Sequence, residues 1–236
     1  MLPSYTIRES GRAKHVSLKI SPAGKLEVVI PPGFDRDRVP DIVKKKQNWI
    51  ERVTQKIKTQ QSLEALESCN GLPEKIALAA IAEAWQVDYQ HTPMPGVRLV
   101  EQAKFGLAVY GQIDHPSSCR RVLQQWLAYK ARLHLLPWLH SVSQEIGLPY
   151  QSASIRQQKT LWGSCSGKKT ISLNSKLLFL PSPLVRYVFV HELCHTIHMN
   201  HSATFWKLVH RHEPGYESLD RQLNDARSWV PLWLEL

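Results

Sequence analysis

Apolar and polar residues alternate at Val16, Leu18 and Ile20, and apolar character resumes over Leu26–Ile30 after Ser21-Pro22-Ala23-Gly24. A two-residue period broken by turn-forming residues predicts a β-hairpin, which Pro31-Pro32-Gly33 ends. The period then lengthens. Val39, Ile42, Ile50, Val53 and Ile57 share one face of a helix predicted over about 38–60, with Lys44, Lys45 and Lys46 on a solvated side. Short strand-like stretches follow at 84–89 and 105–110, separated by Pro93, Pro95 and Gly96.

From 118 to 146 the apolar positions recur at helical spacing, with Pro137 expected to kink or break the helix. A loop is expected around Trp162-Gly163-Ser164-Cys165-Ser166, then a strand over 170–174 as an edge strand above a cleft. Ser182-Pro183 reads as an N-cap followed by proline at the first helical position, opening a helix that runs to about Asn200. Ser202 is placed to cap the next helix, which Pro214 stops. Together these elements predict an α+β chain. An N-terminal β-rich region, 1–115, carries the helix at about 38–60, and a second part, 116–236, follows.

Composition narrows the class. In 236 residues, a hydrophobic fraction of 43% and eight Trp exclude disorder as the default state. No run of eighteen apolar residues occurs, and the first residues lack the apolar stretch of a signal peptide. Cys69, Cys119, Cys165 and Cys194 are far apart, so a disulfide scaffold is not expected and a reducing cytoplasm is. The net charge of +10 is uneven: 13 Lys and Arg against 6 Asp and Glu in 1–60, and 8 against 1 in 121–180. These two basic blocks are candidate nucleic-acid contacts.

Histidine points to chemistry. Six of the eleven histidines fall between His191 and His212. His191-Glu192-Leu193-Cys194-His195 is a complete HExxH. Residues four apart lie on one helix face, so both imidazoles can reach one ion, a zinc by motif. Glu192, beside the first ligand, can reach a metal-activated water without ligating the metal. Zinc lowers the pKa of such a water to about 7, and Glu192 would take its proton and pass it to the leaving amine.

A third protein ligand is needed. His198 is seven residues beyond His191, about 10 Å along a helix axis, too far to share one ion. His201 follows the predicted helix end and can turn back; Glu213 and Glu217 are alternatives. His198, His210 and His212 are read as flanking groups. Gly163 to Lys169 superficially suggests a phosphate loop. Three residues, not four, separate its glycines and Lys-Lys follows, so that reading fails. Cys165 is read as part of a tight turn beside the site with Trp162 as a core anchor, and Cys194 as packing.

Trp162 to Ser166, Ile171 to Asn174, Tyr187 to His195 and Asn200 to Trp206 together resemble the YgjP-like metallopeptidase family. That family is similar to the SprT-like and WLM proteases of the wider zincin group. The N-terminal hairpin and Trp49-containing helix fit the same resemblance, which is strongest over 156–206 and weakest over 60–120. It implies a minimal zincin-like part, His191, His195 and His201 as ligands to Zn2+, and Glu192 as the catalytic base. The leading expectation is therefore a zinc-dependent peptidase acting on peptide or protein substrates. Nucleic-acid-associated proteins are one substrate class, since SprT-like and WLM relatives include proteases acting on proteins crosslinked to DNA. The alternative is a nucleic-acid-binding module with a structural zinc site and no catalysis.

Overall fold

A computed structural model describes residues 3–21, 24–55, 57 and 71–234. The chain forms two compact units, Met1–Cys69 with Pro231–Leu236, and Asn70–Val230.

In the first unit the alternating segment pairs as expected. Strand β2 (Ser17–Ile20) runs antiparallel to β3 (Leu26–Ile30). An additional strand, β1 (Tyr5–Glu9), lies parallel on the other side of β3, giving the order β1-β3-β2. As the central strand, β3 buries Leu26, Val28 and Ile30 against Val39, Val43 and Ile50. The helix predicted over 38–60 is interrupted. Helix α1 (Val39–Lys45) ends at Lys46, whose φ of −103° and ψ of 10° leave the helical region, and helical backbone resumes over 47–55. Lys44, Lys45 and Lys46 are exposed, as a solvated face requires. Residues 56 and 58–60 lie outside the described residues, as do Pro22, Ala23 and Cys69.

The second unit contains two sheets and four helices among its described residues. The first sheet has the order β4-β5-β7-β6: β4 (Lys75–Leu78), β5 (Glu83–His91), β6 (Val97–Gln102) and β7 (Gly106–Gly111). The expected stretches at 84–89 and 105–110 are β5 and β7; β4 and β6 flank them. Helix α2 (Pro116–Ile146) packs on this sheet. Trp126 Nε1 donates to Glu101 at 2.8 Å, and the Trp126 ring meets Trp85 edge-on at 5.3 Å. Lys130, only 6% exposed, pairs with Glu83 at 3.3 Å and lies over the Trp85 ring. The sheet and α2 therefore share one compact unit, although the sequence division at 115 falls between them.

Pro137 does not break α2, which stays helical through it. Proline costs its turn one backbone hydrogen bond and crowds the residue four earlier. Here Pro137 and Leu133 are both exposed, so water can satisfy the freed carbonyl. The helix stops at Gly147, whose φ of +68° favours glycine.

The second sheet has the order β8-β10-β9, from β8 (Ser152–Arg156), β9 (Gly163–Cys165) and β10 (Thr170–Asn174). Two expectations change here. The Trp162–Ser166 segment is not a loop, since its middle is strand β9. Nor is 170–174 the edge strand: β10 is central, parallel to β8 and antiparallel to β9, and β9 is an edge. The burial of Ile171 and Leu173 fits a central strand. Asn174 anchors the approach to β9. Its Nδ2 donates to the Gln158 and Leu161 carbonyls, each at 2.8 Å, and its backbone N–H to Trp162.

Helix α3 (Ser182–Cys194) is capped by Pro181 with Ser182 already in its first turn, so the serine is not the N-cap. It ends at Cys194 rather than near Asn200. His195 is its C-cap, and tight bonds from Thr196 N–H to Leu193 and Ile197 N–H to Cys194 close the turn. Thr196 Oγ1 also bonds the Leu193 carbonyl at 2.7 Å, competing with helix continuation. Ser202 caps α4 (Ala203–His212) by accepting from Phe205 N–H, and α5 (Tyr216–Asp225) follows. Cys119, Cys165 and Cys194 are free thiols. Among the described residues no helix is long and apolar enough to cross a membrane.

Candidate metal centre

The last turn of α3 and its C-cap place His191 and His195 on one face, and the early helix end lets the chain return so that His201 meets them. His201 Nε2 lies 3.1 Å from His191 Nε2 and 3.2 Å from His195 Nε2. Among the described residues, these three are the cluster whose ligand atoms could hold an ion. His198 is not part of it. Glu213 instead binds Arg186, at 2.9 Å, and Glu217 is exposed.

The donor set fits a divalent cation. His195 Nδ1 lies 2.9 Å from the His198 carbonyl oxygen. A carbonyl can only accept, so Nδ1 carries the proton and Nε2 presents its lone pair to the cluster. Burial, then the neighbouring His195 and His201, push the His191 pKa down to about 3, and burial also lowers that of His195. Both rings are therefore neutral, the form that ligates. Three nitrogens about 2.0–2.1 Å from a tetrahedral ion would stand about 3.3 Å apart, close to the 3.1 and 3.2 Å that separate His201 from the other two.

Aromatic rings from α4 hold the imidazoles. Phe205 stacks on His195 with centroids 4.5 Å apart, and Trp206 stacks on His201 at 5.5 Å. Tyr216 of α5 stacks on Trp206 at 5.2 Å. Behind His191, Tyr187 donates its hydroxyl to Asp220 at 2.8 Å.

Glu192 points to a different neighbour, strand β9. It is 6% exposed, and burial raises its carboxyl pKa to about 8. A Cβ added at Gly163 would lie 2.7 Å from Glu192 Oε1 and 2.8 Å from Cγ, so strand and carboxylate are in close contact. A carboxyl titrating near neutrality can both take and return a proton at physiological pH. The cluster and Glu192 open onto a cleft of about 360 Å³, bordered by Leu161, Trp162, Cys165, Met199 and Leu223 among others. Trp162 thus lines the cleft rather than anchoring the core. Burial, then the nearby Glu192, push the Cys165 thiol up to about 11, and Cys194 is fully buried with its thiol raised to about 12. Neither is an activated nucleophile at neutral pH.

Sequence reasoning missed Gly163 as a contact of Glu192, and it missed Asp220 and Leu223 of α5. The spacing of Tyr216, Leu219 and Leu223 carries a helical period that could have revealed α5. Nothing local marks Asp220.

A family model described as a YgjP-like metallopeptidase domain matches residues 14–226. Among curated proteins there is no match. The crystal structure of the metallopeptidase zymogen of Pyrococcus abyssi abylysin is 26% identical, with a TM-score of 0.36, covering 39% of this chain and 95% of that chain.

Proposed function

The chain belongs to the YgjP-like metallopeptidase family, and on that premise we propose that it is a zinc-dependent peptidase with His191, His195 and His201 as metal ligands and Glu192 as general base. The observation that carries this reading is the convergence of the His191, His195 and His201 Nε2 atoms on a cleft that the buried Glu192 carboxyl of α3 also lines. Zinc held there would polarise the scissile carbonyl and acidify the attacking water. Glu192 would accept that water's proton at its carboxylate as the new C–O bond forms, then deliver it to the leaving nitrogen as the C–N bond breaks. Its burial beside β9 holds the carboxylate in place.

An extended peptide would add to the edge of β9 that no described strand pairs, which takes the role first assigned to 170–174. Main-chain hydrogen bonds there would give affinity with little sequence preference. Catalysis is assigned to the part from 116 onward, and the location to the cytoplasm.

Nucleic acid is proposed as a docking partner near the cleft. Of the eight basic residues in 121–180, Lys130 and Lys176 are buried. Arg156, Lys159, Lys168 and Lys169, on and around the β8-β10-β9 sheet, are exposed. Binding that weakens steeply with salt is expected; salt-insensitive or absent binding removes this partner. A three-ligand cluster opening onto a cleft supports catalysis over a closed four-ligand structural site.

The test is metal dependence. Purified protein should carry one zinc per chain and cleave peptides, lose cleavage on chelation and recover it with zinc. His201→Ala should lose both. Cleavage that survives full chelation rejects the reading.

A further inference from the structure

We propose that Gly163 is a positioning residue, the seat that fixes where the Glu192 carboxyl stands. A methyl group at this position would meet three atoms of that one side chain, Oε1 at 2.7 Å, Cγ at 2.8 Å and Cδ at 3.0 Å. Cβ contacts under 3.0 Å, as two of these would be, are essentially never found in proteins, so the Glu192 side chain or the strand would have to shift.

Backbone conformation does not explain the glycine. Gly163 is absent from the positive-φ glycines, and it sits in regular antiparallel register opposite Leu173. Gly111 is the contrast: its φ is +120°, and a Cβ there would strike the Gly96 carbonyl oxygen at 2.1 Å. At Gly163 an alanine would suit the strand, and the nearest obstruction to it is the Glu192 side chain. Strand β9 itself is held from behind by β10 and by the Asn174 bonds to Leu161 and Trp162. The wall against Glu192 is therefore rigid, and the strand and the helix place the carboxyl jointly. The three atoms nearest to a Gly163 methyl all belong to Glu192 and none to the histidine cluster.

The catalytic consequence rests on the peptidase reading, whereas the contact does not. The experiment is a cycle of wild type, Gly163→Ala, Glu192→Ala and the double variant, with thermal midpoint, zinc content and peptide kinetics measured for each. Gly163→Ala should keep its zinc and its KM but lose at least tenfold in kcat, with a midpoint several degrees below wild type. In the Glu192→Ala background the same substitution should cost nothing or raise the midpoint, because the emptied space accepts the methyl. An equal midpoint loss in both backgrounds, or full kcat in Gly163→Ala, overturns the proposal. Should Gly163→Ala fail to fold, recovery in the double variant supports the proposal, and failure of the double variant overturns it. Absence of cleavage by wild type would reject the peptidase reading, while the midpoint comparison still decides the contact.

Discussion

Replacing Glu192 with glutamine is expected to stabilise the metal-free fold in a strongly pH-dependent way. Burial raises this carboxyl from an ordinary value of 4.5 to about 8. A raised folded-state pKa means that the unfolded chain gives up the proton first. Above pH 4.5 the folded state must either retain a proton or bury a charge, and stability falls as pH rises toward 8. Linkage puts the cost at about 1 kcal/mol at pH 5, about 3 kcal/mol at pH 7 and about 4 kcal/mol at pH 8. Glutamine has the same shape and no such titration. His191 titrates with the opposite slope, losing stability as pH falls below 6.5 toward about 3. Both proteins share that contribution, so their difference isolates Glu192. For a unit of this size, about 3 kcal/mol corresponds to a midpoint roughly 6–12 °C higher in the variant at pH 7. Thermal unfolding of chelator-treated wild type and Glu192→Gln at pH 5, 7 and 8 measures it. A midpoint difference that stays constant with pH would refute the argument that burial sets this carboxyl.

Three further outcomes follow from particular contacts. Trp206→Ala removes the ring stacked on His201 and should weaken zinc binding roughly 10- to 100-fold, as loss of an orienting neighbour does; competition with a metallochromic chelator reads it. Arg186→Ala removes ion pairs to both Glu213 and Glu145 and should destabilise the fold by about 1–2 kcal/mol in urea denaturation. Leu161 and Met199 border the cleft while 51% and 53% exposed. Replacing either with serine should lower kcat/KM roughly tenfold for peptides with a large apolar residue at the scissile bond, with smaller effects on polar peptides, as a side-by-side peptide series would show.

The motif helix was the most legible part of the chain because its signals are local. Four-residue spacing brings His191 and His195 together whatever the rest of the fold does. The N-terminal hairpin was legible for the same reason, since alternation and a turn lie within one short window. His201 could be reached only by asking where a chain turns after a helix. The helix ends at Cys194, about one and a half turns earlier than expected, because Thr196 and tight C-terminal bonds stop it, and the chain beyond that end brings His201 beside the other two imidazoles. What stayed hidden depends on distant pairing. Whether β9 or β10 forms the edge is decided by β8, which joins β10 from eighteen residues away in register. Gly163 looks like any turn glycine until a buried glutamate from another element is seen pressed against it. The charge of the 121–180 block likewise changes meaning once Lys130 proves to be part of the packing between α2 and the first sheet.

The measurement that bears most directly on the account is cleavage of a quenched fluorescent peptide mixture by wild type and Glu192→Gln, each loaded with zinc and assayed for metal content. The account predicts one zinc per chain in both proteins, cleavage by wild type, and at least a thousandfold slower cleavage by the variant. Equal cleavage by the two proteins, or none by zinc-loaded wild type, would contradict it.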